Sequence, residues 1–321
     1  YFPNNSVMEL ARPGDLLVVA KRRGGGLLML VVPAEGTLEN QIAWLFGLDG
    51  ALGESFRFET VEGGRDRALD FAARYILDEL GIEFEEPEAE RLDALLERFG
   101  TVFPTTRVFS QFARETLPDV SPADDPDGTL VAWLTHEEAL FRRLERRIIA
   151  DRLMAGFGGR ADLDVDGFLH FSLSVQNRRK SRMGLALENH LEVVLRTHGI
   201  RYERGARTEN RSKPDFIFPG AAAYHDPAFP AVDLSMLGAK STCKDRWRQV
   251  LSEARRIERK HLITLEPGIS EAQTDEMEAN GLQLVVPAGI QCSYSVAQRA
   301  WLMETRDFIA HVTEQQARRV K

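Results

Sequence analysis

The sequence predicts an α/β protein: a central mixed sheet flanked by helices, preceded by a smaller α+β domain. Three observations carry this expectation. Beyond residue 213 short apolar runs alternate with amphipathic stretches, the pattern of a sheet covered on both faces. Near the start, two β-branched runs flank a basic, glycine-rich turn. An acidic stretch with Glu83, Glu85, Glu86, Glu88 and Glu90 then interrupts the apolar pattern before residue 100.

Taken in order, residues 15–20 and 27–32 read as a hairpin closed by residues 21–26. Residues 38–48 and 67–80 have helical spacing, and Gly81 suits a C-terminal cap. Residues 118–128, rich in Pro and Asp, read as a solvated loop. Thr135 with Glu138 makes a capping box for a helix whose apolar face uses Phe141, Leu144 and Ile148. Arg142, Arg143, Arg146 and Arg147 decorate that helix, either as a solvated face or as phosphate contacts. A further helix is expected over 184–198, strands over 215–218 and 232–240, and an amphipathic helix over 245–260 with Trp247, Val250, Leu251, Ala254 and Ile257 inward. Strand 261–265, helix 271–280, strand 282–286 and a final helix 296–315 complete the order.

The 321 residues exceed one typical core and point to two domains, 1–100 and 101–321. No apolar window approaches a membrane span, and the first residues lack the pattern of a signal peptide, so a cytoplasmic protein is expected. The chain starts without methionine, as a fragment or processed form would. Two cysteines, Cys243 and Cys292, suffice for neither a disulfide framework nor a four-cysteine zinc site. Net charge is −8, yet positive charge is concentrated: residues 178–213 hold ten Lys or Arg against four Asp or Glu, and residues 240–260 eight against three.

Chemistry-bearing residues converge in the same region. Asp215 opens a strand, Lys240 closes the next, Lys244 stands at the mouth of the following helix, Glu253 lies within that helix and Glu188 projects from the preceding one. Phosphodiester hydrolysis needs the phosphate charge offset and a water activated in line with the leaving oxygen. Carboxylates holding Mg²⁺, with a lysine beside them, meet both needs. Each residue alone is an ordinary surface residue; strand Asp, strand Lys and helix Glu inside a basic region suggest a nuclease. A DNA-binding protein of the same fold that does not cleave remains open, as does a repair nuclease that recognises DNA structure.

The segment KPDFIFPGAAAYHD (residues 213–226) and the segment MLGAKSTCKDRWRQ (residues 236–249) closely resemble the catalytic domain of EcoRII-like type II restriction endonucleases, within the PD-(D/E)xK nuclease superfamily. The similarity continues through LVVPAGIQ at 284–291 and back to about Trp133. The resemblance implies a restriction-endonuclease-like fold and Mg²⁺ held by Asp215 and Glu253 with Glu188, for which Glu192 is the fallback. It implies Lys244 as catalytic lysine and Lys240 as accessory. Base readout falls to Asp245, Arg246 and Arg248, since Arg bonds guanine O6 and N7 and Asp accepts from cytosine N4; Asp245 also suits a helix N-cap.

The implied activity is cleavage of double-stranded DNA at a short, G·C-rich, near-palindromic site (CCWGG-like, its central pair extruded), leaving 5′-phosphates. Two identical strands to cut call for a homodimer. Tyr224 offers an alternative nucleophile beside Arg246, against a packing or DNA-contacting role. In the family an effector domain precedes the nuclease and binds a second DNA copy; the hairpin with Lys21, Arg22 and Arg23 fits the end of such a domain, or a merely solvated turn.

Overall fold

The computed structural model describes residues 5–21, 26–46, 71–80, 92–159, 162–243 and 246–318. The first elements are α1 (Ser6–Leu10), β1 (Leu16–Lys21), β2 (Leu27–Val32), α2 (Thr37–Leu45), α3 (Phe71–Glu79), α4 (Leu92–Phe99) and α5 (Thr106–Glu115). Two long helices follow, α6 (Pro126–Ala155) and α7 (Val165–Thr197), linked by the small hairpin β3 (Gly158–Gly159) and β4 (Asp162–Leu163). Then come β5 (Glu203–Arg204), β6 (Phe216–Phe218), α8 (Ala221–His225), β7 (Ser235–Lys240), α9 (Trp247–Leu251) and β8 (Lys260–Thr264). The chain ends with α10 (Glu271–Ala279), β9 (Leu282–Val285), α11 (Ala288–Gln291), α12 (Val296–Trp301) and α13 (Thr305–Ala317).

Contacts divide the chain into two compact units. One takes residues 1–83, 266–281 and 290–302; the other takes 84–265, 282–289 and 303–321. In the first, β1 and β2 pair antiparallel from Leu16↔Val32 to Lys21↔Leu27. The Asp15 carboxylate closes the open end of that hairpin by accepting from the amides of Arg12 and Ala34. Helix α2 is tied to residues from far along the sequence: Gln41 Nε2 donates to the Pro267 carbonyl, and Thr37 Oγ1 to Gln273 Oε1.

The second unit is built on a five-stranded mixed sheet in the order β5-β6-β7-β8-β9. The β5–β6 and β6–β7 pairs are antiparallel, and the β7–β8 and β8–β9 pairs are parallel. Every residue of β6, β8 and β9, and of β7 up to Ala239, is buried, so both faces of the sheet are covered. The expected architecture of a mixed sheet flanked by helices is therefore what forms, with the separate two-stranded sheet near the N-terminus.

A second core joins α4, α5 and α6 through Leu95, Phe109, Phe112, Leu140, Phe141 and Leu144. Between α6 and α7 lies a buried polar network. Glu137, fully buried, takes Arg182 Nη1 at 3.0 Å and His190 Nε2 at 2.8 Å. Arg114 Nη1 lies 3.1 Å from His190 Nδ1; a guanidinium only donates, so Nδ1 accepts and Nε2 carries the hydrogen given to Glu137. Burial opposes the Glu137 charge, but His190 and Arg182 outweigh it and hold the carboxyl below its ordinary range. The network fixes the register of α7, the helix that carries Glu188.

Several boundaries differ from the sequence reading. The capping box at Thr135 does not exist: helix α6 starts at Pro126 under an Asp125 cap, Thr135 bonds the Val131 carbonyl, and Glu138 pairs with Arg142 and Arg182. The helix expected from 184 begins at Val165, because Asp164 caps it and helical spacing persists through a polar stretch. The helix expected over 245–260 is only α9, Trp247–Leu251. Ala254 turns left-handed at φ 47°, and Arg256 is drawn off to the carbonyls of Tyr224, Asp226 and Phe229. Apart from the half-buried Leu251, its apolar stripe is still buried, because the turn after α9 packs Ala254 and Ile257 inward. The final helix is broken into α12 and α13, as Met303 leaves helical geometry to bond Val286 and Leu284 beside β9. The hairpin turn at Arg22 and Arg23, residues 47–48 and 67–70, Gly81 and the acidic stretch lie outside the described residues.

Candidate active site

Asp215 sits immediately before β6, where its own carbonyl accepts from the Gly205 amide and so locks the strand end to β5. The register that pairs Phe216 with Leu237 sets the Asp215 side chain against the C-terminal end of β7. There its Oδ2 accepts from the Ala239 amide at 2.7 Å and from Lys240 Nζ at 2.6 Å. A backbone donor plus an ammonium holds that carboxylate in one orientation.

Glu253 follows the C-terminal end of α9 rather than lying within a long helix, and its amide bonds the Val250 carbonyl. Its Oε2 is buried and accepts no hydrogen bond. Burial, with Asp215 as a further repulsive charge, pushes its carboxyl up to about 7, against the opposing pull of Lys240 and Lys260. A buried, unpartnered carboxylate oxygen within the electrostatic reach of another carboxylate is an unsatisfied arrangement that a cation would relieve.

Glu188 reaches the same neighbourhood from α7. Burial and the Asp215 charge raise its pKa, while Arg204 and Lys240 oppose the rise. Its Oε2 takes both Nε of Arg204 at 3.0 Å and Nη2 at 2.7 Å. Glu192, one turn on, faces Arg196 at 2.8 Å and Arg107 and Arg204 at 3.3 Å. Burial works against the Glu192 charge, but these guanidiniums prevail and its pKa falls. Asp215, Lys240, Glu188 and Glu253 are thus gathered at the ends of β6 and β7. Among the described residues no three His, Cys, Asp or Glu side chains stand close enough together to hold an ion as they are. The donor set, carboxylate oxygens with one left unpartnered, nevertheless matches what a hard divalent cation prefers.

Lys244 and Asp245 lie outside the described residues. Lys240 is brought to Asp215. Arg246 and Arg248 are exposed at the start of α9, the Arg248 guanidinium lying over the Trp247 ring. Tyr224 is grouped elsewhere: its hydroxyl donates to the Glu209 carboxylate at 2.6–2.7 Å, and Arg256 lies over its ring. Burial and the Glu209 charge push the phenol up to about 12. Cys243 is buried, Cys292 is exposed, and neither is in a disulfide.

Two residues that the sequence reading passed over belong to the site. Arg204 is the partner of Glu188, and Lys260 is a buried ammonium whose Nζ donates to the Ile257 carbonyl at 2.8 Å. Burial lowers the Lys260 pKa against the attraction of Glu209 and Glu253. Only membership in the two basic segments hinted at either.

The family described as EcoRII C terminal matches residues 141–309. The type II restriction enzyme EcoRII of Escherichia coli is 41% identical over 234 residues, which cover 73% of this chain and 56% of that protein; the chain thus spans little more than half the length of that relative. Two solved structures share the fold. Metal-depleted Ecl18kI in complex with uncleaved, modified DNA aligns over 71% of this chain and 84% of its own, at TM-score 0.57 and 18% identity. The PspGI–substrate DNA complex aligns over 67% and 94%, at TM-score 0.56 and 17% identity.

Proposed function

The chain belongs to the EcoRII C-terminal family, and from that premise we propose that it is a type II restriction endonuclease acting on double-stranded DNA. The carrying observation is the ammonium of Lys240 held 2.6 Å from the Asp215 carboxylate, with the unpartnered Oε2 of Glu253 nearby in charge terms. Asp215 and Glu253 would hold the ion, proposed as Mg²⁺; when bound, it offsets phosphate charge and acidifies water.

The remaining work falls to the chain's own groups. Lys240, fixed by Asp215, orients the attacking water and offsets charge on the phosphate. Lys244, which the family resemblance also implicates, is a second cation for that task. Arg246 and Arg248, exposed at the start of α9, and Asp245 read G·C pairs in a CCWGG-like near-palindrome, and cleavage leaves 5′-phosphate ends. The buried Tyr224 hydroxyl, engaged by Glu209, supports a structural role for that residue over a nucleophilic one. Residues 101–321 would carry catalysis, residues 1–100 an effector-like DNA-binding function, and a homodimer in the cytoplasm would cut both strands.

Plasmid DNA incubated with the protein and Mg²⁺ should give discrete fragments with 5′-phosphate ends. Asp215→Asn and Lys240→Ala should each lower cleavage by at least 100-fold, on the order of 3 kcal/mol in the barrier, while retaining binding to the same DNA. Binding without cleavage under any divalent metal would refute the reading.

A further inference from the structure

Glu188 and Asp215 both carry a cationic partner, but the two partners are held in different ways. Lys240 meets Asp215 through a single flexible ammonium. Arg204 meets Glu188 through two nitrogens of a rigid fork, and its third, Nη1, is fixed to Asn189 Oδ1 at 2.9 Å and Glu192 Oε2 at 3.3 Å. From its seat on β5 the guanidinium therefore bridges one turn of α7, from Glu188 to Glu192. It cannot leave Glu188 without giving up charge-assisted bonds to Asn189 and Glu192 as well. Asn189 is itself buried and secured by its bond to Ser110 Oγ.

The pair is largely withdrawn from water, with the side chains of Arg204 and Glu188 at 20% and 19% exposure, so its attraction is screened less than that of a surface pair. A cation approaching Glu188 meets a fixed positive charge beside the carboxylate, whose Oε2 already accepts two N–H groups. A cation approaching Glu253 meets a buried oxygen with no partner.

We propose that Arg204 is a positioning residue that neutralises Glu188 and keeps it out of the set of ion ligands, leaving that task to Asp215 and Glu253. The inference rests on the ion-binding reading of the site given above. Arg204 thereby limits how tightly the site takes a divalent cation before DNA is bound, because removing it frees a third carboxylate.

The test is a titration of the full chain with Mn²⁺, free ion being followed by electron paramagnetic resonance. Asp215→Asn and Glu253→Gln should weaken binding at least tenfold, whereas Glu188→Gln should leave it within about twofold. Arg204→Met should tighten binding severalfold, and the gain should vanish in the Arg204→Met/Glu188→Gln double variant, a dependence that a merely structural role would not produce. A tenfold loss in Glu188→Gln, which is nearly isosteric and informative even if Arg204→Met folds poorly, would overturn the inference. So would Arg204→Met leaving the affinity unchanged or lower. Mn²⁺ binding indifferent to Asp215 and Glu253 would instead overturn the underlying ion-site reading.

Discussion

His261 shows how a residue outside the site can set the conditions under which the sheet stands. It lies on β8, 3% exposed, with its ring 5.1 Å from that of Phe308 and 5.2 Å from that of His311. Its Nδ1 has no hydrogen-bond partner. Burial, reinforced by His311 and Arg259, lowers its pKa to about 3 from the ordinary 6.5. The unfolded chain therefore binds the proton that the native chain refuses, and stability falls as pH drops from about 6.5 toward 3. Replacement by a residue that cannot titrate, His261→Phe, should flatten this limb. In urea melts from pH 7 to pH 4 the wild-type minus variant slope should approach about 1.4 kcal/mol per pH unit. Parallel curves for the two proteins would show that His261 titrates normally.

At the scale of elements, the site depends on how closely α9 packs on β7. Gly238, in the middle of β7, makes that approach possible: a Cβ there would stand 3.1 Å from Val250 Cγ2 and 3.3 Å from Leu262 Cδ1. Val250 also accepts the Glu253 amide, so the gap at Gly238 sets where Glu253 lies relative to Asp215. Gly238→Ala should cost about 1–3 kcal/mol of stability by overpacking, read as a lower urea midpoint. DNA cleavage should fall further than stability alone explains, because Glu253 moves with α9. A variant as stable and active as the wild type would show that Val250 and Leu262 adjust freely. The same element scale explains why the helix expected over 245–260 is so short. Apolar spacing at Trp247, Val250, Ala254 and Ile257 specifies which side chains are buried, but a left-handed turn at Ala254 buries them as well as a helix would.

For the whole molecule, the tip formed by α6 and α7 is unusual in its exposure. Met154, Leu163, Val165, Phe168, Leu169 and Leu173 show between 44% and 76% of their surface. Val165, Leu169 and Leu173 recur at four-residue spacing and so share one face of α7. This face is the seat we expect for a second copy in the proposed dimer. Sedimentation at micromolar concentration should give a dimer for the wild type and a monomer for Leu169→Glu/Leu173→Glu. A double variant that still sediments as a dimer would move the interface elsewhere.

The sequence by itself determined what depends on local pattern. The hairpin over residues 16–32, the strands β7, β8 and β9 and the stretch that bears Asp215, Lys240 and Glu253 follow from alternation, β-branched runs and turn residues acting over a few positions. The basic segments and the long motif after Lys240 were legible for the same reason. Tertiary structure alone decided the partners. Arg204 belongs to a two-residue strand with no readable period, yet pairing with β6 delivers its guanidinium to Glu188. Residues 266–281 and 290–302 join the N-terminal residues in one compact unit, which no local signal announces. Lys240 reads in sequence as an accessory to Lys244; the β6–β7 register brings Lys240 to Asp215. Periodicity reports which side of an element faces a core, whereas the identity of a charged partner across a site depends on register and crossing geometry fixed by packing of distant segments.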